Sequence, residues 1–352
     1  MKDLIELIIY DTSLTPVGLV DNYTSLIWHK SYNSTGDFEI YIYADLETAN
    51  LLIKDYYVMR EDDDRVGIIK DITINEDIEE GEYLTVKGTF VESLLGYRII
   101  WNQTHLNGTT ENAIRNLVND NVVNPLNVNR KIDIVKLGEI KGLTARVDAQ
   151  VSYENVEEYI SEMCVAADYG YKMVFDKQDS KFAFSVYEGI DRSYNQMANP
   201  HVVFSDENDN LLSSEYAENY SIYKNTAKVM GEGEGTARKS FVNNDTNTGL
   251  NRKELYVDAR DISSNDGEIG SSAYQNMLAE RGLQKLAEHS LTQAFTGEVD
   301  FESYEYKKDW DLGDRVTIEN KRWGIHINPR ITDIIESYSN SEGYKLIPTF
   351  AI

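Results

Sequence analysis

At 352 residues the chain is longer than one hydrophobic core usually serves, and its 41% hydrophobic content is that of a folded protein, so two or three packed domains are expected. Its 60 acidic against 34 basic residues give a formal charge of −26, which argues against a protein that grips nucleic acid through clustered lysines and arginines. No run approaches the ~18–20 apolar residues of a membrane helix. The N-terminal Met1-Lys2-Asp3-Leu4-Ile5-Glu6 lacks the basic-then-apolar order of a secretory signal, so folding in the cytoplasm is expected.

The first hundred residues alternate at period two. In 37–44, Phe38, Ile40, Ile42 and Ala44 share one face, and in 83–90 so do Leu84, Val86 and Phe90. Segments 56–59 and 66–74 are β-branched or aromatic, parted by the polar turn Glu61-Asp62-Asp63-Asp64. Acidic or glycine-bearing turns such as Glu79-Glu80-Gly81-Glu82 punctuate the pattern, and one short helix is expected over 46–54. Short strands at this spacing predict an antiparallel barrel over 1–100. The 24 tyrosines fit pleated sheets and interfaces, where the ring packs and the hydroxyl stays wet.

The middle, 101–200, reads as α+β. A helix is expected over 111–122, with Ile114, Leu117 and Val118 on one stripe, Thr110 as N-cap and Glu111 in the first turn. A second follows Ser152, its Val156, Tyr159, Ile160, Met163, Cys164 and Ala167 at helical spacing. Glu154, Glu157 and Glu158 complement its dipole, and Gly170 is read as its end. Strands over 171–175 and 181–187 come next.

From 201 to 352 the β pattern returns, with strands expected over 201–204, 225–230, 254–257, 316–319, 330–337 and 344–350. One helix interrupts them over 272–289, its apolar stripe read as Ala279, Leu283, Leu286 and Ala287. Loops rich in Asn, Asp, Ser and Gly fill 241–269. The predicted outline is a β-rich α+β chain, two antiparallel barrel-like modules flanking a small α/β region.

Several spots were weighed for chemistry. Cys164 is the only cysteine, and one thiol makes neither an internal disulfide nor a multi-thiolate zinc site; on a helix's apolar face it reads as core. The loop Gly231-Glu232-Gly233-Glu234-Gly235-Thr236-Ala237-Arg238-Lys239 lacks phosphate-loop spacing, and its glutamates would repel phosphate. Asp62-Asp63-Asp64, Asp206-Glu207-Asn208-Asp209-Asn210 and Asp261-Ile262-Ser263-Ser264-Asn265-Asp266-Gly267 offer oxygens but not EF-hand order, so they read as solvated turns. His29, His105, His201, His289 and His326 lack metal-ligand spacing, and His289 suits a helix C-terminus. No Gly-x-Ser-x-Gly elbow is present, and among so many acids no carboxylate pair stands out. No catalytic residue, cofactor site or metal site is assigned.

Whole phrases then carry a resemblance. In order these are Thr35-Gly36-Asp37-Phe38-Glu39-Ile40, Val58-Met59-Arg60-Glu61-Asp62-Asp63, Gly96-Tyr97-Arg98-Ile99-Ile100-Trp101-Asn102-Gln103 and Asp191-Arg192-Ser193-Tyr194-Asn195-Gln196. Phe204-Ser205, Asn210-Leu211-Leu212-Ser213-Ser214, the 231–239 loop and 249–261 follow, and Leu312-Gly313-Asp314-Arg315-Val316 and 330–336 close the series. Nearly end to end, the chain resembles the tail-hub family of siphoviruses of Gram-positive bacteria and phage-derived particles, similar to the baseplate hub of contractile-tailed phages.

That resemblance implies a non-enzymatic virion protein of the tail tip, assembled in the host cytoplasm: a homotrimer whose two barrels per subunit adapt a sixfold tube to a threefold tip. The implied partners are a distal tail protein ring, tail tube and tape-measure proteins, and tip fibre or receptor-binding proteins, with DNA only in transit. It also implies that the fibre or hydrolase extensions of some relatives are absent or lie on other chains. Two alternatives stand beside it. A receptor- or carbohydrate-binding tip protein would expose Tyr304, Tyr306 and Trp310 in one groove; a tail-associated cell-wall hydrolase would need an active carboxylate pair.

Overall fold

The structure, a computed structural model, describes residues 5–77, 81–300 and 303–351. Glu79 and Glu80 of the expected turn, and Met1 to Leu4, lie outside them. In chain order the first part comprises β1 (Leu7–Tyr10), β2 (Pro16–Val20), β3 (Ser25–Ser31), β4 (Asp37–Tyr43), α1 (Leu46–Leu51), β5 (Tyr57–Arg60), β6 (Val66–Asp77) and β7 (Gly81–Phe90). The alternation seen in the sequence sets the faces: Phe38, Ile40 and Ile42 of β4 and Leu84, Val86 and Phe90 of β7 are buried together around Trp28.

The middle follows with β8 (Thr104–Thr109), α2 (Thr110–Val118), a π-helical turn (Asn119–Val123), β9 (Val135–Leu137), β10 (Arg146–Val151), α3 (Val156–Ala167), β11 (Gly170–Asp176) and β12 (Lys181–Tyr187). Two expected helix boundaries shift. The N-cap of α2 is Thr109, whose Oγ1 accepts from Asn112 N, with Thr110 already helical. Helix α3 starts after Asn155, whose Oδ1 accepts from Glu157 N at 2.9 Å, and it buries the predicted stripe from Val156 to Cys164. Its left-handed end is Asp168 (φ +58°), not Gly170. Gly170 instead opens β11 where a Cβ would lie 2.4 Å from the Tyr32 ring, so the glycine serves a close approach rather than a turn.

The remainder contains β13 (Val203–Ser205), β14 (Glu215–Asn219), β15 (Thr226–Met230), β16 (Ser240–Asn243), β17 (Glu254–Asp258), α4 (Ser271–Ala287), β18 (Thr292–Thr296), β19 (Thr317–Asn320), β20 (Ile325–Ile327), β21 (Arg330–Ser339) and β22 (Gly343–Ala351). The buried face of α4 is Tyr274, Met277, Leu278, Arg281, Gly282, Gln284 and Leu286, packed on Ala227 and Val229 of β15. Of the predicted stripe Leu286 is buried, but the face is rotated enough to leave Leu283 exposed. The sequence signal failed there because the true face carries Arg281, which is satisfied inside by Asp261 (2.7 Å) and the Gln150 carbonyl (3.0 Å).

The fold is β-rich α+β, dominated by one antiparallel sheet of eleven strands in the order β14-β18-β22-β21-β3-β4-β7-β6-β5-β1-β2. Strands expected in two separate barrels therefore share a single sheet, joined where β21 pairs with β3 from Asp333↔Ser31 to Ser339↔Ser25. Among the described residues no closed barrel forms: β14 and β2 stand at the two ends. Strand β5 is buried along its whole length, since Val58 enters the core around Trp28 while Tyr57 and Met59 enter the core of the middle region with Ile114, Ile160 and Phe184. A third core gathers Tyr32, Phe204, Phe295, Trp310, Ile331 and Phe350. No helix of the described residues is long and apolar enough to cross a membrane.

Candidate functional site

The feature that most needs explaining is a set of buried charges where β3, β21 and the β5–β6 turn meet. Lys30 lies on the inward face of β3 with Leu26 and Trp28, so its ammonium is driven into the interior. There Nζ donates to Asp63 Oδ2 and Glu336 Oε1, each at 2.6 Å. Arg60 clamps Asp62 through two 2.9 Å bonds and reaches Glu336 Oε2 at 2.9 Å. Lys307 adds a second ammonium to Asp63 at 2.8 Å, and the Tyr344 hydroxyl donates to Glu336 at 2.8 Å.

Burial alone would raise both carboxyls. The ammonium groups of Lys30 and Lys307 overcome it at Asp63 and hold that acid well below the usual range, while Lys30 and Arg60 hold Glu336 at about 2. The Asp63 side chain is fully buried, so the expectation of a solvated turn is corrected at that residue, while Asp62 and Asp64 stay exposed. The reason lies in the partners of Asp63, Lys30 on β3 and Lys307 far along the chain, which local sequence does not reveal.

Two further links, one buried and one half-exposed, tie the middle region to its neighbours. Arg65 pairs with Glu92, whose Oε1 also accepts from Met173 N at 2.9 Å. Asp168, at the left-handed end of α3, receives Arg330 Nε at 2.6 Å and Arg315 Nη2 at 2.5 Å, while the Arg330 guanidinium lies 5.2 Å from the Tyr32 ring centroid. The Tyr32 hydroxyl donates to the Asp168 carbonyl at 3.1 Å.

Between these links lies a cavity of about 430 Å³ bordered by Lys30, Asp63, Asp64, Lys172, Lys307 and Asp311. Its carboxylates Asp63 and Asp64 face lysines, which suits a strut more than proton transfer. Asp311 differs, raised above the usual range by burial.

The eleven-stranded sheet also presents two uncovered edges among the described residues. Strand β2 exposes Val17 (42%) and Leu19 (46%), and β14 is mostly exposed from Glu215 to Asn219. Free ladder groups beside apolar side chains are the usual basis for strand pairing with another chain.

The Siphovirus ReqiPepy6 Gp37-like protein family matches residues 6–350. The chain belongs to that family. Among solved structures this chain is similar to a tail protein of Neisseria meningitidis (14% identity, TM-score 0.58, covering 99% of this chain and 96% of that one). It is also similar to the 43 kDa tail protein of prophage MuSo2 from Shewanella oneidensis (11% identity, TM-score 0.56, 98% of each chain). A third is the prophage tail protein gp18 of Listeria monocytogenes (11% identity, TM-score 0.51, 98% of this chain and 94% of that one). At such identities the likeness is one of fold. No curated protein matches the sequence.

The residues with candidate chemistry are dispersed through the chain. Cys164 is buried, and burial pushes its thiol pKa up. The 231–239 loop closes on itself: Lys239 donates to Glu232 at 2.6 Å, and Arg238 reaches Asp258 at 2.6 Å. Asn210 is an internal brace rather than a solvated turn residue, bonding Ser205 N and the Val203 carbonyl at 2.8 Å each. Asp261 is taken by Arg281.

The histidines sit apart. His29 bridges Asp333 (3.2 Å) and Asp37 (3.3 Å), His105 meets Asp148, His201 the Gln196 carbonyl, and His326 Glu319. His289 Nδ1 meets the Lys285 carbonyl at 2.9 Å, the helix-end position expected of it. Tyr304, Tyr306 and Trp310 form no exposed groove: Trp310 is buried, with Phe204 5.5 Å and Tyr306 5.0 Å away between ring centroids. Sequence pattern alone does not single out Lys30, Arg60, Asp168 and Glu336 as buried charges. The available signal was Lys30 falling in phase with Leu26 and Trp28.

Proposed function

We propose that this chain is a structural, non-enzymatic hub of a phage or phage-like tail tip. Three copies would form a ring between the sixfold tube and the threefold tip, each giving two barrel-like modules (1–100 and 201–352, the latter carrying the helical insertion near 272–289) around a middle region (101–200). The observation that carries this reading is the open eleven-stranded sheet, which joins the first and last parts of the chain rigidly and leaves a strand edge at either end. A sheet of that form is completed by neighbours, and head-to-tail contacts between identical copies close into a ring when the rotation fits.

The family membership supports the setting in a virion tail, and with it contacts to a distal ring, tube, tape-measure and tip proteins. The formal charge of −26 supports a wall past which DNA slides, since a surface poor in Lys and Arg builds no phosphate ladder. Assembly would take place in the host cytoplasm.

Cryo-electron microscopy of the intact particle tests the reading. The expected result is a threefold ring of this chain at the tube's end with acidic side chains toward the channel. A particle without that ring overturns the hub, and a channel lined by Lys and Arg overturns the sliding wall.

A further inference from the structure

One pocket of the middle region, of about 460 Å³, has a lining unlike the junction. Its walls are the 101–104 segment leading into β8 and the chain that follows α2. There α2 widens into the π-helical turn Asn119–Val123, a local form that often marks functional places in helices. The turn carries Asn121 inward, where it is 5% exposed. Asn121 Oδ1 accepts from Trp101 N at 3.1 Å and Arg130 Nη2 at 3.3 Å, and its Nδ2 donates to the Leu117 carbonyl at 3.0 Å. One buried amide thus fixes Trp101 and Arg130 together, the guanidinium 4.7 Å from the indole centroid. Trp101 is nonetheless 53% exposed.

Charge makes the place unusual. In a chain with a formal charge of −26, neither Arg130 nor its neighbour Arg98 has a carboxylate partner among the described residues. Arg130 Nη2 donates to the Ile99 carbonyl at 2.6 Å, and Arg98 donates to the carbonyls of Arg130 and Tyr97. Partial burial and the adjacent Arg98 charge both disfavour the Arg130 cation, as expected of two like charges lacking a counterion. The pocket's one carboxylate, Asp120, accepts from Asn119 Nδ2 at 2.8 Å. Asn102, Asn124 and Asn127 complete the rim, all exposed. Asn124 donates to Asn119 Oδ1, which leaves its own carbonyl oxygen for a ligand.

We propose that this pocket binds an acidic saccharide, with a sugar ring on Trp101, its carboxylate or phosphate on Arg130, and its hydroxyls on the amides of Asn124 and Asn127. The chemistry matches group by group. An indole face packs the apolar face of a sugar ring, a planar amide offers both a donor and an acceptor to neighbouring hydroxyls, and the Nη1 of Arg130, which makes no bond among the described residues, can donate to a carboxylate or phosphate. The volume suits a ligand of one to a few rings. The amide-rich lining favours a saccharide over a docked protein, since the centres of protein interfaces are apolar. The exposed Leu126 at the rim makes a protein contact the competing outcome. This site is independent of the ring proposed above.

The test follows the Trp101 indole N–H by NMR in the full chain, assigned with Trp101→Phe. Trp28 and Trp310 are buried, which leaves Trp323 as an exposed internal reference. The probes are a glucuronate-bearing hyaluronan tetrasaccharide, glucose 6-phosphate, neutral cellotetraose and inorganic phosphate. The expected result is a saturable shift with at least one acidic sugar, about tenfold weaker with cellotetraose, and weakened about tenfold by Arg130→Gln and by Asn124→Ala in chains whose melting is unchanged. The two acidic probes distinguish carboxylate from phosphate as the anionic group.

Cellotetraose binding as tightly as the acidic sugars overturns the anionic element. Inorganic phosphate binding as tightly as glucose 6-phosphate reduces the pocket to a simple anion site and overturns the saccharide. No shift with any probe, or shifts unaffected by both substitutions, overturns the proposal. In that case, loss of assembly in Trp101→Ala and Leu126→Ala chains would assign the patch to a protein contact instead.

Discussion

Lys30 on β3 and Glu336 on β21 are 306 positions apart in the chain, yet their charged atoms meet at 2.6 Å with both side chains hidden from solvent. The two strands are hydrogen-bonded neighbours, with Lys30 opposite Ile334 and Trp28 opposite Glu336, so the pair is a diagonal contact across the seam. Around it Arg60, Asp63, Lys307 and Tyr344 add further hydrogen bonds. Substitutions here act on the seam that unites the first and last parts of the sheet.

Glu336→Ala leaves Lys30 and Arg60 buried with too few counter-charges. A cost of about 3–5 kcal/mol is expected, as for a broken buried pair. Urea unfolding of the purified chain measures it. A loss under about 1 kcal/mol, the size of a surface ion pair, would mean the junction is wetter than described.

Acid should weaken the same junction. A glutamate of the unfolded chain takes up its proton near pH ~4.3, whereas Glu336 in the folded chain resists to about 2. Asp63 is shifted in the same direction. The unfolded state therefore binds more protons as pH falls through this window, and the stabilisation is complete above about pH 5 and drains away toward 2. Thermal melts of wild type and Glu336→Gln at stepped pH check this. The substituted chain should show the shallower acid slope, and identical slopes would remove Glu336 from the account.

Gly170→Ala tests the packing of α3's exit against Tyr32. The added methyl would meet the Tyr32 ring at 2.4 Å and its carbonyl oxygen at 2.7 Å. The expected cost is about 1–3 kcal/mol, the size of overpacking in a tight core. Gly142→Ala is no clean control, since its φ of +76° strains any side chain despite open space, whereas Gly270 has ordinary φ and nothing within 4 Å. Gly270→Ala should be nearly neutral in the same unfolding assay.

The sheet edge can be tested apart from stability. Val17→Lys with Leu19→Lys places charge on the exposed side of β2, so the monomer should stay within about 0.5 kcal/mol of wild type per site. Incorporation of the doubly substituted chain into particles should drop sharply. Wild-type incorporation would show that β2 is not an assembly edge.

Cys164 should resist thiol reagents in the native chain and react once it is unfolded, because burial both shields the sulfur and raises its pKa. Rapid labelling under native conditions would contradict the packing of α3.

Much of the fold was legible wherever burial and polarity alternate cleanly. Strands β4 and β7 and the inner stripe of α3 follow directly from Phe38, Ile40, Ile42, Leu84, Val86 and the run from Val156 to Cys164. Strand β3 was passed over because Lys30 occupies an inward position, and a charge there reads as solvent-facing until its distant partners are known. The same holds for Arg281 on α4. Strands β8 and β10 were hidden by Asn107, Gly108 and Asp148, residues that speak for turns, although they pair in register from Thr104↔Val151 to Thr109↔Arg146. The single sheet was not legible either. Which strand lies beside β3 depends on a pairing 300 residues away, and local periodicity carries no such information.

That pairing also orders events at the ribosome. Strands β3 and β4 are synthesised early, but the flank of β3 that belongs to β21 stays without its partner until almost the whole chain has emerged. Through that interval Lys30 has no Glu336 beside it, and an apolar strand edge faces solvent. Chains interrupted before about residue 330 should therefore aggregate rather than persist as stable fragments, and translation pauses in the last third should be unusually costly. Strand β21 thus acts as a checkpoint, because only a chain extended through Ser339 covers the edge of β3.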